Sequence, residues 1–332
     1  MIEYGFWKQL KRPIFAVAPM ADVTDAAFRR MIATYGKPDV MWTEFVSCDG
    51  MCSAGREALI RDLLYDASER PIVAQVFGAT PEHFYRTAQM VSELGFDGID
   101  INMGCPDRNI QKQNAGAKLI QDPQLAKMII RETKRGAGTM PVSVKTRIGY
   151  TKNTIDTWLP HILETEPAAI TIHGRTKKEM SAVPAHWDAI ARGVELTKQY
   201  FGSKERPLVL GNGDVQTMTE AFEKVERYGV DGVMVGRGLF GNPWFFSDKD
   251  ALKKGGRAVG REMPLDEKLR VMLEHTRLFE ELLGDVKRFE LMKKHYKAYV
   301  HGFDGARELR MKLMAAQCAD DVERTLQKEG YL

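Results

Sequence analysis

Short apolar, β-branched runs alternate with longer segments of helical period along the first three quarters of the chain. That is the pattern of a parallel sheet with crossover helices. Eight runs occur, at residues 14–18, 40–45, 72–77, 98–101, 142–147, 169–173, 208–211 and 232–235. Eight strand-helix units in roughly 250 residues predict an α/β fold of the (β/α)8 TIM-barrel type, with a doubly wound sheet as the alternative the pattern also permits. From residue 265 onward only helical periodicity recurs, which predicts a small C-terminal all-helical domain. The expected domains are residues 1–250 and 264–332, joined across the charged, glycine-bearing stretch 246–264.

Strand parity decides which polar residues face the barrel axis. In VSVKTR (142–147), Val142 and Val144 share one face and Ser143, Lys145 and Arg147 the other. A lysine buried among the helices would be very costly, so Lys145 is expected to point inward, near the C-terminal end of its strand. The same parity brings Gln75, Asn102 and His173 to the C-terminal mouth, where barrel enzymes keep their active sites. Taken singly, each has an ordinary reading as a satisfied core or loop residue. The GIDINM run then stops at Gly104-Cys105-Pro106, where glycine leaves the backbone open and proline enforces an extended cysteine. A free cysteine is usually a small hydrophobe, but four converging polar groups make this one a candidate for chemistry.

Charge changes the picture little. Lys and Arg number 48 against 45 Asp and Glu, so any basic surface must be local. The densest stretch, 286–312, holds eight cations (Lys287, Arg288, Lys293, Lys294, Lys297, Arg307, Arg310, Lys312) against three acids. Tyr296 and Tyr299 within it could stack on bases or complete the bundle core. The four cysteines, 48, 52, 105 and 318, offer no second pair at zinc spacing, so no metal is expected and the thiols read as reduced, in a cytoplasmic protein. No stretch approaches the ~20 apolar residues of a membrane span, and the apolar run 13–20 reads as the first strand.

The last two strands end in LGNGD (210–214) and VGRGLFG (235–241), glycine-rich loops of the kind that hold a phosphate, with Arg237 as a bidentate partner. The G-x-G-x-x-G spelled by Gly236, Gly238 and Gly241 closes the alternating series instead of opening it, which argues against a dinucleotide fold. A phosphate loop, an inward lysine and a cysteine together point to a flat phosphorylated cofactor such as FMN, the lysine cation supporting the reduced, anionic ring. A Schiff-base lyase would use Lys145 but leave Cys105 and Gln75 without work.

The stretches APMADVTDAAFR (18–29), QVFG (75–78), DINMGCPDRNIQKQNAGAKLI (100–120), VKTRIG (144–149), ITIHGRT (170–176), GNGDV (211–215) and DGVMVGRGLFGNPWFF (231–246) resemble the tRNA-dihydrouridine synthases, FMN-dependent barrels with a helical C-terminal domain. The resemblance implies FMN contacts at Pro19, Met20, Ala21, Gln75, Lys145, His173, Asn212, Gly213, Asp214, Gly236 and Arg237. It implies Asn102 and Arg175 as substrate-binding polar residues and Cys105 as the proton donor. The implied reaction reduces the C5–C6 bond of a D-loop uridine in tRNA with NADPH or NADH as electron donor. Hydride goes to C6, and a thiol, mostly protonated at neutral pH, supplies the proton to C5. The uracil would have to be flipped out of its stack. A monomer is expected, and a small-molecule flavin reductase of the dihydroorotate or dihydropyrimidine type is the competing function.

Overall fold

The computed structural model describes residues 1–258 and 263–332. Eight parallel strands, β1 (Ile14–Val17), β2 (Met41–Ser47), β3 (Ile72–Phe77), β4 (Gly98–Met103), β5 (Val142–Arg147), β6 (Ala169–His173), β7 (Leu208–Asn212) and β8 (Gly232–Val235), pair in the order β1-β8-β7-β6-β5-β4-β3-β2. An Ala16–Val40 bridge joins β1 to β2 and closes the ring. The fold is therefore a (β/α)8 barrel, and the doubly wound alternative falls away because every strand lies beside its sequence neighbour. β4 and β7 run further than their apolar patterns suggest, to Met103 and Asn212, because backbone pairing with Thr146 and Met234 continues past the last aliphatic residue.

The outer helices begin where sequence signals put them. Asp122 accepts the Leu125 N–H ahead of Pro123 in the helix Pro123–Ala137, and Asp25 accepts the Phe28 N–H ahead of Ala26–Tyr35. At the N-terminal end of the barrel Trp7, from a short 3-10 turn, packs on the fully buried Trp42.

The stretch read as a linker carries a helix of its own, Lys249–Lys253, held to the barrel by Lys249 and Lys253 on Asp39 at 3.0 and 2.8 Å. The barrel unit thus extends past residue 250, while linker residues 259–262 lie outside the described residues. The helices Leu265–Leu283, Lys293–Tyr299, Ala306–Leu313 and Ala319–Lys328 follow. Their apolar core takes in Ala27 and Met31 of the barrel helix Ala26–Tyr35, so the tail is docked on the barrel. Tyr296 and Tyr299 are buried in that core and are not free to stack on bases.

Two buried histidines seal this junction. His275 and His295 lie 4.7 Å apart and meet Phe28, with Phe240 stacked on His295. His275 Nε2 and His295 Nδ1 have no hydrogen-bond partner among the described residues. Burial first, then the nearby Lys294 charge, pushes His295 down to about 4, from an ordinary value of 6.5. Between those values the unfolded chain binds a proton that the folded protein refuses, so this site makes stability fall as pH drops. His295→Phe is expected to remove a contribution on the order of 3 kcal/mol from the acid-side loss of stability. Denaturant unfolding of both proteins at pH 4 and pH 7 measures it, and identical pH slopes would refute it.

Candidate active site

One cavity of about 330 Å³ opens at the C-terminal mouth of the barrel, within the size range of cofactor sites. Pro19, Met20, Gln75, Asn102, Cys105, Lys145, His173, Arg175, Asn212, Gly213, Asp214, Gly236 and Arg237 all line it. Ala21 does not, and is exposed. Parity explains the convergence: Asn102 pairs in register with Lys145, Arg147 with His173, and His173 with Asn212.

The floor is a directed chain of hydrogen bonds. Asp100 accepts from Ser143 Oγ and from Gln75 Nε2, both at 2.6 Å. Because a carboxylate can only accept from Gln75, the glutamine carbonyl must face the other way, where it takes the Asn102 amide at 2.9 Å. Asn102 Oδ1 is then free to accept the Gly104 and Cys105 N–H groups at 3.1 and 2.9 Å. Buried charge thereby orients the cysteine turn. Burial pushes Asp100 up to about 6, opposed by those same bonds, so it is ionised at neutral pH.

From its other side Cys105 is held by its carbonyl, which accepts from Ala117 N and Gln111 Nε2 at 3.1 and 2.7 Å. Gly116, at φ +62°, sits so close that a Cβ there would lie 2.9 Å from the Cys105 oxygen. That is the local reason for a glycine in NAGAKLI. Arg147 Nε fixes the Gly104 carbonyl at 2.7 Å. Burial pushes the Cys105 thiol above its ordinary value, so it stays protonated at neutral pH.

Charge across the cavity is uneven. Lys145 reaches into it with no hydrogen-bond or ion-pair partner among the described residues; burial, then the Arg147 charge, brings it down to about 8. Burial and the cations Lys145, Arg147 and Arg175 hold His173 well below its ordinary value. Its neutral ring takes Arg175 Nη1 at Nε2, 3.3 Å away, which assigns the ring proton to Nδ1. Asp214 joins Arg175 to Arg237, the latter at 2.6 Å, and also accepts the Ala185 N–H at 2.8 Å. Burial would raise Asp214, but the Arg175 hydrogen bond and the cations hold it below the usual carboxylate range. Gly213 stands at φ +131°, and Asn212 ties β7 to β8 through the Met234 carbonyl.

Asp100 was absent from the expected site, although it lies two residues before Asn102 and so on the same face. Glu44, buried beside the cavity wall, lies within a bulge between Trp42 and Phe45 that no apolar pattern announces. Beyond the mouth, the loops after β4, β5 and β6 carry Arg108, Lys112, Lys118, Lys152, Lys177 and Lys178, whose side chains form no ion pair among the described residues. Lys118 and Lys177 both lie over the Tyr150 ring, 5.6 and 5.2 Å from its centre. The tail cations behave differently. Lys287, Lys294 and Lys312 are ion-paired, and Arg310 donates to the Val300 carbonyl, so half of that basic stretch is used inside the molecule.

A cavity with a positioned thiol and lysine at the C-terminal mouth of a (β/α)8 barrel defines an enzyme of the barrel class. The family model for dihydrouridine synthases (Dus) matches residues 16–330, and the chain belongs to that family, which makes it an oxidoreductase. It is 38% identical over 325 residues to the probable tRNA-dihydrouridine synthase of Staphylococcus aureus (strain MRSA252), across 97% of this chain and 94% of that protein. Identity is again 38% over 325 residues to the probable tRNA-dihydrouridine synthase 2 of Bacillus subtilis (strain 168), across 97% of this chain and 95% of that protein. Among solved structures, morphinone reductase in complex with tetrahydroNAD superposes with a TM-score of 0.50 at 12% identity, over 79% of this chain and 92% of that one. That last likeness concerns the fold alone. No helix among the described residues is long and apolar enough to cross a membrane, and no cluster of three or more metal-ligating side chains occurs among them.

Proposed function

We propose that the protein is an FMN-dependent tRNA-dihydrouridine synthase that reduces one D-loop uridine with NADPH or NADH as electron donor. The observation that carries this reading is the placing, in one cavity, of the Cys105 thiol and of a Lys145 side chain that has no hydrogen-bond or ion-pair partner among the described residues.

The residues present fit a flavin mononucleotide. A half-buried ammonium with no ion-pair partner among the described residues suits a ring that gains negative charge on reduction, and the glycine turns after β7 and β8, with Arg237 on the rim, suit a phosphate. A Cβ at Gly236 would meet Met20 Sδ at 3.3 Å, so the wall there leaves little room for a side chain. Bound flavin would supply the hydride for uracil C6. The chain's own residues do the rest. Asn102 orients the turn that presents the thiol, and Cys105 Sγ holds the proton destined for C5. Arg175, its guanidinium pinned by Asp214 and the Val183 carbonyl, faces the cavity as a donor for a uracil oxygen. The uncompensated cations around Tyr150 suit the phosphates of a tRNA lying across the mouth, and favour tRNA over a small pyrimidine. Reduced thiols and a tRNA substrate together make the cytoplasm the place of action, and the chain is proposed to work as a monomer.

The test combines two measurements. The purified protein should release FMN on denaturation. With NADPH and a tRNA transcript it should add two hydrogens to one D-loop uridine, read by mass spectrometry of nuclease fragments. Reduction of dihydropyrimidine precursors with tRNA untouched would establish the small-molecule function instead, and a protein unable to bind flavin would end the proposal.

A further inference from the structure

Lys287 and Lys294 belong to the stretch whose charge made the tail look like a nucleic-acid surface, yet both face the barrel. Lys287 Nζ donates to Glu44 Oε2 and lies 3.1 Å from Asp62 Oδ1. Its side chain is 13% exposed and that of Glu44 only 7%, so this is a buried pair contributed half by the tail and half by β2. Glu44 would otherwise be a buried anion without a counter-charge, a strongly unfavourable state.

The other oxygen of Glu44 takes the backbone N–H of Asp22 at 2.5 Å. Asp22 stands at φ +54°, in the left-handed region, which a side-chain-bearing residue keeps when its surroundings hold it there. The Asp22 carboxylate receives the second tail lysine, Lys294, at 3.3 Å. Two residues earlier is Met20, whose side chain lines the cavity beside Gly236. The Met20 carbonyl accepts from Val23 N and Thr24 N at 3.2 and 3.0 Å, and its N–H donates to Thr24 Oγ1 at 2.9 Å. The segment 19–24 is thus a closed turn. One end continues into the capped helix Ala26–Tyr35 and the other into β1, while its middle, at Asp22, hangs from Glu44, and Glu44 hangs from Lys287.

We propose that Lys287 is a positioning residue for the cofactor cavity: seated by the tail, it holds Glu44, and through Glu44 it fixes the left-handed Asp22 and the Met20 wall. Docking of the helical tail and the shape of the cavity are then one mechanical unit. The tail does more than offer a surface to RNA. Only the flavin and tRNA assays below rest on the function proposed above; the backbone assay does not.

The experiment compares full-length wild type, Lys287→Met, Lys287→Arg, Glu44→Gln and the double variant K287M/E44Q. Hydrogen exchange of residues 19–24, read by mass spectrometry, should speed up about tenfold in K287M and return to the wild-type rate in K287R. Flavin release from the holoenzyme, followed by fluorescence after dilution, should quicken by a similar factor, with KM for tRNA unchanged. In the E44Q background, K287M should add less than a factor of about two, because Lys287 acts through Glu44. E44Q alone carries the same expectation should K287M fail to fold. Unchanged exchange at 19–24 overturns the proposal whatever the flavin does. So does a K287M variant whose only defect is a raised KM for tRNA, which would return Lys287 to the RNA surface. A wild type without flavin would defeat the proposed function while leaving the exchange result to decide this one.

Discussion

Lys145→Met is expected to slow dihydrouridine formation by about 10² to 10³, the usual loss when one preorganised electrostatic group is removed from a water-poor site. The same substitution is expected to make the flavin-free protein more stable. Lys145 sits at about 8 instead of 10.5 because burial, then Arg147, disfavour its charge, opposed chiefly by Asp100. At neutral pH the fold therefore bears the cost of a desolvated ammonium that methionine, of similar length, does not impose. After allowance for water in the cavity, the gain is on the order of 1 to 2 kcal/mol. A protein that melts higher and works far more slowly cannot be explained by unfolding. The sign of the pH effect follows from the same shift. If the cation is the working form, wild-type activity falls as pH rises through about 8, and K145M shows no such limb. Thermal melts and initial rates from pH 6 to pH 9.5 test both halves. A variant both less stable and less active would mean that Lys145 is structural.

Much of this site was legible because a barrel converts sequence parity into direction. In VSVKTR the valines claim the helix side, and Lys145 has nowhere to go but inward. Gln75, Asn102 and His173 follow by the same rule, and the cavity contains all four. Asp100 obeys the rule too. It escaped notice because an acid one layer below the mouth has no ligand to meet, and its work is to turn Gln75 and Asn102 so that Asn102 can hold the cysteine turn. Glu44 was not legible, since a bulge in β2 breaks the alternation just where its direction is decided. The tail misled for a different reason. A run of cations reads as a free surface when its counter-charges are not nearby in sequence. The partners of Lys287 and Lys294 are Glu44 and Asp22, more than two hundred residues away, and only the docked fold brings them into contact. The cations around Tyr150, scattered over three loops, escaped for the converse reason: no local run announced them.

Cys105→Ala should isolate a single step. Apart from the Asp107 N–H, which meets the sulfur, the contacts that shape its turn are made by backbone or by other side chains: Asn102 Oδ1 on the Gly104 and Cys105 N–H groups, Ala117 and Gln111 on the Cys105 carbonyl, and Arg147 on Gly104. Removing the sulfur leaves all of them in place. The variant should therefore keep its flavin, be reduced by NADPH at close to the wild-type rate and bind tRNA, because none of these needs the proton. Uracil reduction alone should fall, by on the order of 10² to 10⁴, the usual contribution of a positioned acid. Burial raises the thiol, so it remains an acid across the working range, and the alkaline limb of the wild type belongs to Lys145. Stopped-flow absorbance separates the halves by following bleaching of the flavin with NADPH and then the return of its colour on mixing with tRNA. A cysteine needed only for packing predicts loss of flavin and slowing of both phases together. If the colour returns with tRNA as fast in the variant as in the wild type, the proton comes from another group, and the converging contacts on this turn serve something other than acid catalysis.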